Sequence, residues 1–196
     1  MYGLWEIKER SMKNCLLTLA LLAGCFITAT AQLVGTTFPI IETETVEDKV
    51  VTLPKDTQGR ITLVAMAYSK KAEKDLNSWL SPLFNTFVRQ KVSDKGLFAG
   101  FAHDIDVYVV PMFTGIKAAA EGTAKRKAAK DLDERLVPYV LFYKGQLKPY
   151  KEALEFDKKD VPYLFLLDQK GKIVYATSGA HSSQKMMAIE EAVDTL

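Results

Sequence analysis

Val161-Pro162-Tyr163-Leu164-Phe165-Leu166-Leu167-Asp168-Gln169-Lys170-Gly171-Lys172-Ile173-Val174-Tyr175, followed by Ser178-Gly179, is the stretch on which the fold turns. Residues 163–167 are an unbroken apolar run of strand length, as a strand covered on both faces requires. Asp168 to Gly171 supplies turn residues, and residues 172–177 return as a second strand, so the stretch predicts a β-hairpin. Pro162 opens the first strand, where a missing N–H costs little. Downstream, residues 182–193 predict a closing helix with Met186, Met187, Ile189 and Val193 buried.

Upstream, Ile61-Thr62-Leu63-Val64-Ala65-Met66-Ala67 is a second continuously apolar run and predicts a central strand. Leu76, Trp79, Leu80, Leu83, Phe84, Phe87 and Val88 then recur at spacings of three and four, which puts them on one face of a helix. Ser69 is placed to cap that helix, and Pro82 predicts a kink, because the period resumes beyond it. Residues 105–111 predict a strand and residues 116–136 an Ala- and Lys-rich helix weakened by Gly122. Residues 137–145 predict an added strand within an insertion spanning about 137–160. Residues 50–53 read as a short strand, and residues 32–48 as a lead-in with little regular structure. This order of elements predicts an α/β fold: a mixed sheet with helices on both faces, in one domain over residues 49–196.

The N-terminal segment reads as a secretory signal. Lys13 precedes the apolar residues 15–27, a run shorter than a bilayer-spanning helix needs, and Ala29-Thr30-Ala31 offers a small-residue cleavage site before Gln32. Met12 directly before Lys13 gives a signal of conventional length and is read as the true start. Leu22-Ala23-Gly24-Cys25 also has the form of a lipoprotein box, with Cys25 as the lipidated residue. The apolar Phe26 and Ile27 after it favour simple cleavage after Ala31. The expected location is periplasmic or extracellular, with membrane attachment only through a partner or through lipidation at Cys25. The chain has two cysteines, Cys15 and Cys25, both within this segment, so the mature domain is expected to fold without a disulfide.

The quoted hairpin resembles the second half of periplasmic thioredoxin-like and peroxiredoxin-like proteins, which implies a thioredoxin-like fold and a cis peptide before Pro162. Residues 61–69, with Asn77-Ser78-Trp79 and Pro82-Leu83-Phe84, are similar to the mitochondrial ATP synthase assembly factors of thioredoxin-like fold, which have also lost the family's cysteines. That resemblance implies a chaperoning role toward a membrane subunit; the bacterial-type signal departs from a mitochondrial setting.

In thioredoxins a Cys-x-x-Cys motif opens the helix after the central strand, where the positive helix end lowers the thiol pKa. Here that place reads Ser69-Lys70-Lys71-Ala72, which can form no thiolate. A nucleophilic serine needs a base, and neither histidine, His103 or His181, stands in a context that marks one. No catalytic residue is therefore expected. The expected binding residues are those of the former active-site groove, Tyr68, Ser69, Val161, Pro162 and Tyr163, which in thioredoxin relatives pairs with an extended peptide. The partner is expected to be a protein or peptide of the cell envelope; the alternative is an oxidoreductase or other enzyme acting without its own cysteine pair. A third possibility is a plain structural accessory.

Other features carry less. A net charge of +2 gives no field for nucleic acid, and no phosphate-binding glycine loop is present, so no nucleic-acid partner and no cofactor are expected. In His103-Asp104-Ile105-Asp106, which enters a strand, His103 and Asp104 point to opposite faces and cannot easily share one ion, so no metal site is expected. Lys125, Arg126, Lys127 and Lys130, followed by Asp131, Asp133 and Glu134, read as a solvated helix face.

Overall fold

The computed structural model describes residues 33–88 and 105–196. Residues 1–32, on which the expected signal and both cysteines fall, and His103 and Asp104 lie outside the described residues. Five strands form the central sheet: β3 (Ile61–Ala67), β4 (Ile105–Thr114), β5 (Tyr143–Gly145), β6 (Tyr163–Leu167) and β7 (Ile173–Ser178), in the order β5-β4-β3-β6-β7. β4 runs parallel to β3 and β5, while β6 is antiparallel to β3 and to β7. An antiparallel pair, β1 (Ile41–Glu44) and β2 (Val50–Leu53), forms a second, two-stranded sheet, and Glu44 at its end exchanges main-chain hydrogen bonds with Phe142 just before β5. The helices are α1 (Lys70–Leu83), α2 (Glu121–Asp131), α3 (Lys148–Ala153) and α4 (Ser183–Asp194). This is the mixed α/β sheet that the sequence predicts.

β3 is apolar throughout because it is covered twice. Leu63, Ala65 and Ala67 face α1 and α4, in a core with Leu76, Trp79, Leu83, Ile189 and Val193. Val64, Met66 and Tyr68 face the opposite core, roofed by Ile41 and Leu53 of the β1–β2 hairpin and by Leu154 and Phe156 after α3. Each such fully buried Leu or Phe side chain stabilises the fold by roughly 1.5–3 kcal/mol. Trp79, fully buried, donates its indole N–H to Gly179 O at 2.9 Å and ties α1 to the loop before α4. The chain enters the domain along the outer edge of β7: Gly35 N–H bonds Ile173 O at 2.7 Å and Phe38 N–H bonds Gly171 O at 2.9 Å.

Several expectations are corrected. The stretch 32–48 is not irregular throughout, since β1 pairs with β2 within it. The helix runs through Pro82, as the resumed period requires, and α1 passes into a π-wound turn at Phe84–Val88. The predicted 116–136 helix begins as a 3-10 turn over Gly115–Ala120 and is α-helical only over Glu121–Asp131. The added strand is shorter and later than predicted, β5 being the sheet's edge after a 3-10 turn at Val137–Tyr139. Met187 is 61% exposed, because one residue after Met186 it points away from the sheet.

Lys125 is not part of a solvated face. Its side chain is 8% exposed and its ammonium meets three carboxylates: Glu121 and Asp48, each at 2.7 Å, and Glu44. Burial pulls its pKa down, but the hydrogen bonds to Asp48, Glu121 and Glu44 outweigh that and hold it above the ordinary lysine value. The cluster fastens α2 to the β1–β2 hairpin. Asp106, buried in β4, is paired instead with Arg60, 2.7 Å from its guanidinium.

Lys125→Met should leave these carboxylates without their cation and lower the unfolding free energy by about 2–3 kcal/mol in a urea titration. Because the folded-state pKa is raised, the wild-type advantage should be complete below pH 10.5 and fade as pH rises beyond it. An equal difference at neutral and strongly alkaline pH would show that the ammonium is not what fastens the hairpin.

Candidate functional site

β3 delivers Tyr68 and Ser69 to the C-terminal end of the sheet, where α1 begins. Ser69 is extended (φ −138°, ψ 155°) and its Oγ accepts the Ala72 N–H at 3.1 Å, the N-cap expected from the sequence. The same hydroxyl donates to Asp160 Oδ1 at 2.9 Å. Lys70 and Lys71 stand exposed on the helix's first turn, in the places between the two thiols of a redox motif and beside the second.

Residues 157–160 cross this end of the sheet as a strap. Phe156 anchors it, stacked on Tyr68 with ring centroids 5.5 Å apart and packed on Tyr163 at 4.6 Å. Lys158 is then held by its backbone: its N–H bonds the Tyr163 hydroxyl at 2.7 Å, and its carbonyl accepts from the Tyr68 and Tyr163 hydroxyls, each at 3.1 Å. Burial pushes the Tyr68 phenol up to about 12, reinforced by Tyr163, Asp157 and Asp160; burial likewise raises Tyr163. Both hydroxyls therefore stay protonated and able to donate across the physiological range.

The structure thus brings together all five residues named from the sequence. Tyr68, Ser69, Pro162 and Tyr163 are buried, and Val161 is half-buried. The Val161–Pro162 peptide is trans, against the expectation from the resemblance; the chain's cis peptide among the described residues is Leu53–Pro54. Pro162 stands one residue before the β6 ladder, so no N–H is missed there, and its carbonyl accepts the Gly179 N–H at 2.8 Å. The main chain of Val161 has no hydrogen bond to any described residue.

Sequence reasoning missed Phe156, Lys158 and Asp160. The signal was an aromatic inside a charged connection, immediately before Asp157-Lys158-Lys159-Asp160 and the Val-Pro pair. Chemically the arrangement offers a serine engaged by a carboxylate, with no imidazole beside it among the described residues: His181 lies against Trp79, ring centroids 5.1 Å apart, and its main-chain N–H donates to Ser78 Oγ. Among the described residues no group of three or more His, Cys, Asp or Glu could hold a metal ion. No described helix is long and apolar enough to cross a membrane.

Tyr163→Phe should free the Lys158 amide, raising its hydrogen-exchange rate by about tenfold or more while lowering global stability by only about 1 kcal/mol. Protection unchanged by the substitution would show that the tyrosine does not hold the strap. Because the Tyr68 pKa is raised in the folded state, stability should be full below pH 10 and decline between pH 10 and 12, and Tyr68→Phe should flatten that decline.

The fold has many solved relatives. The thioredoxin domain of a thiol-disulfide oxidoreductase from Bacteroides vulgatus superposes with a TM-score of 0.55 at 18% identity, covering 82% of this chain and 97% of that one. The exposed lipoprotein thioredoxin of Streptococcus pneumoniae gives 0.51 at 16% identity, covering 81% and 100%. A member of the Sco family of cytochrome c oxidase assembly proteins gives 0.51 at 10% identity, covering 82% and 95%. At these identities the likeness is one of fold. No curated protein matches the sequence. The model of the ATP10 protein family matches residues 33–196, all of the described domain, so the chain belongs to that family of ATP synthase assembly factors built on a thioredoxin-like fold.

Proposed function

We propose that this chain is a non-catalytic assembly factor of the cell envelope that docks an extended segment of a protein partner at the sheet end built from Tyr68, Ser69, Val161, Pro162 and Tyr163. The observation that carries this is the state of Ser69: its hydroxyl is spent on capping α1 and holding Asp160, in the place where an oxidoreductase keeps its reactive thiol. Chemistry has been replaced by architecture there. The Val161 main chain, with no bond to the described residues, supplies a donor and an acceptor to an extended backbone, a mode of pairing that needs no thiol. The strap forms one wall of that surface. Membership of an assembly-factor family supports a protein partner. Export rests on the signal read from residues 12–31, and no cofactor, metal or nucleic acid enters this role.

The test is site-specific photo-crosslinking in native envelopes, with a photoreactive residue at Val161 and a control probe at Lys127 on α2. A specific adduct from position 161, identified as an ATP synthase subunit, is the expected result. Adducts from the control position alone would move the interaction to α2 and overturn the docking site. Purified mature chain should also fail to turn over a disulfide substrate, and turnover above a thiol-only blank would overturn the non-catalytic assignment.

A further inference from the structure

The loop that follows β7 is bonded directly to the docking surface. At the end of the β6–β7 ladder Tyr163 stands opposite Ser178, and one further bond runs from the Gly179 N–H to the Pro162 carbonyl at 2.8 Å. Among the described residues that is the main-chain bond nearest to Val161, whose own N–H and carbonyl are open. The direction in which Val161 presents those two groups therefore depends on how firmly residues 178–180 are held.

Side chains hold them. Three successive carbonyls are each taken: Lys185 Nζ donates to Ser178 O at 2.7 Å and to Ala180 O at 3.0 Å, and the Trp79 indole N–H donates to Gly179 O at 2.9 Å. The next main-chain group, the His181 N–H, donates to Ser78 Oγ at 3.0 Å. Ser78 and Trp79 belong to α1 and Lys185 to α4, so the loop is fastened to both helices.

Lys185 stands in the first turn of α4, a turn with no acidic residue, where a cation opposes the positive end of the helix. It makes no ion pair among the described residues, and the two loop carbonyls are what its ammonium meets. Gly179 completes the clamp. Its φ of +92° is one that side chains disfavour, and a Cβ there would meet Lys185 Nζ at 3.1 Å, so both its backbone and the closeness of the ammonium call for glycine.

We infer that Lys185 and Trp79 are positioning residues for partner docking: by clamping Ser178–Ala180 they fix the Gly179–Pro162 bond, and with it the main chain that Val161 offers. This rests on the docking role given above and adds the side chains, outside the five residues of the surface, on which its shape depends.

The test compares Lys185→Met and Lys185→Arg with the control Lys125→Met, which removes an ammonium on the β5 side of the sheet, away from β7. The purified full chain gives the hydrogen-exchange rate of the Gly179 amide and the urea midpoint; native envelopes give the photo-crosslinking yield from position 161. Lys185→Met should speed Gly179 exchange by about tenfold or more and cut the crosslinking yield by about fivefold or more, with a smaller shift of the urea midpoint than Lys125→Met causes. Lys185→Arg keeps donors for both carbonyls and should recover both readouts. Trp79→Phe, which loses the indole N–H but keeps a ring in the core, should loosen Gly179 as Lys185→Met does. Lys125→Met should leave the crosslinking yield within about twofold of wild type. Circular dichroism checks that each variant is folded. Wild-type exchange at Gly179 in Lys185→Met overturns the clamp, and an equal loss of capture in Lys125→Met overturns the positioning role by tracing the effect to stability. The two proposals fail separately: absence of capture by the wild type sinks the docking site, whereas capture that persists undiminished when Gly179 is loosened sinks the positioning role alone.

Discussion

Everything in this domain depends on β3 having no exposed side. Its alternation sends Leu63, Ala65 and Ala67 into one core and Val64, Met66 and Tyr68 into the other, so a slip of one residue would exchange the two sets. The small residues Ala65 and Ala67 lie where α1 packs, with Trp79 in the same core. Tyr68 is the last member of the opposite set. Its hydroxyl reaches Lys158 because the alternation that builds the core continues to the strand's end, so the site inherits its geometry from the register of the sheet.

The Ser69 end shows how a helix start can be held by a single hydroxyl. A helix N-terminus needs its free N–H groups satisfied whether or not chemistry happens there, and Ser69 meets that need. The two tyrosines, with raised phenol pKa values, act as fixed donors toward the Lys158 backbone, a role ordinarily left to main-chain groups.

The sequence was most legible where burial is two-sided. The runs at residues 61–67 and 163–167 announced the central strands, and the spacing from Leu76 to Leu83 announced α1, because periodicity records which faces are covered. It was least legible where one tertiary contact decides the outcome. Lys125 sits in a run that looks solvated, and its burial depends on Glu44 and Asp48, some eighty residues away in sequence. β1 was hidden in a stretch rich in Thr and Glu, since only alternate residues, Ile41 and Thr43, turn inward. The five residues expected to form the groove were chosen from their place in the fold, whereas the strap beside them was not foreseen, because hydrogen bonds to a backbone leave no mark on side-chain identity. The trans peptide before Pro162 belongs with these: isomer state is set by local packing and not by the dipeptide itself.

The way the chain joins the sheet gives the domain a direction. Gly35 and Phe38 bind β7 at Ile173 and Gly171, beside the hairpin turn, while Ser69 and Val161 lie where β3 ends and β6 starts. These are opposite ends of the sheet, separated by the length of a seven-residue strand, roughly 20 Å. The strap therefore lies the length of a full sheet from the point where residues 35–38 join β7.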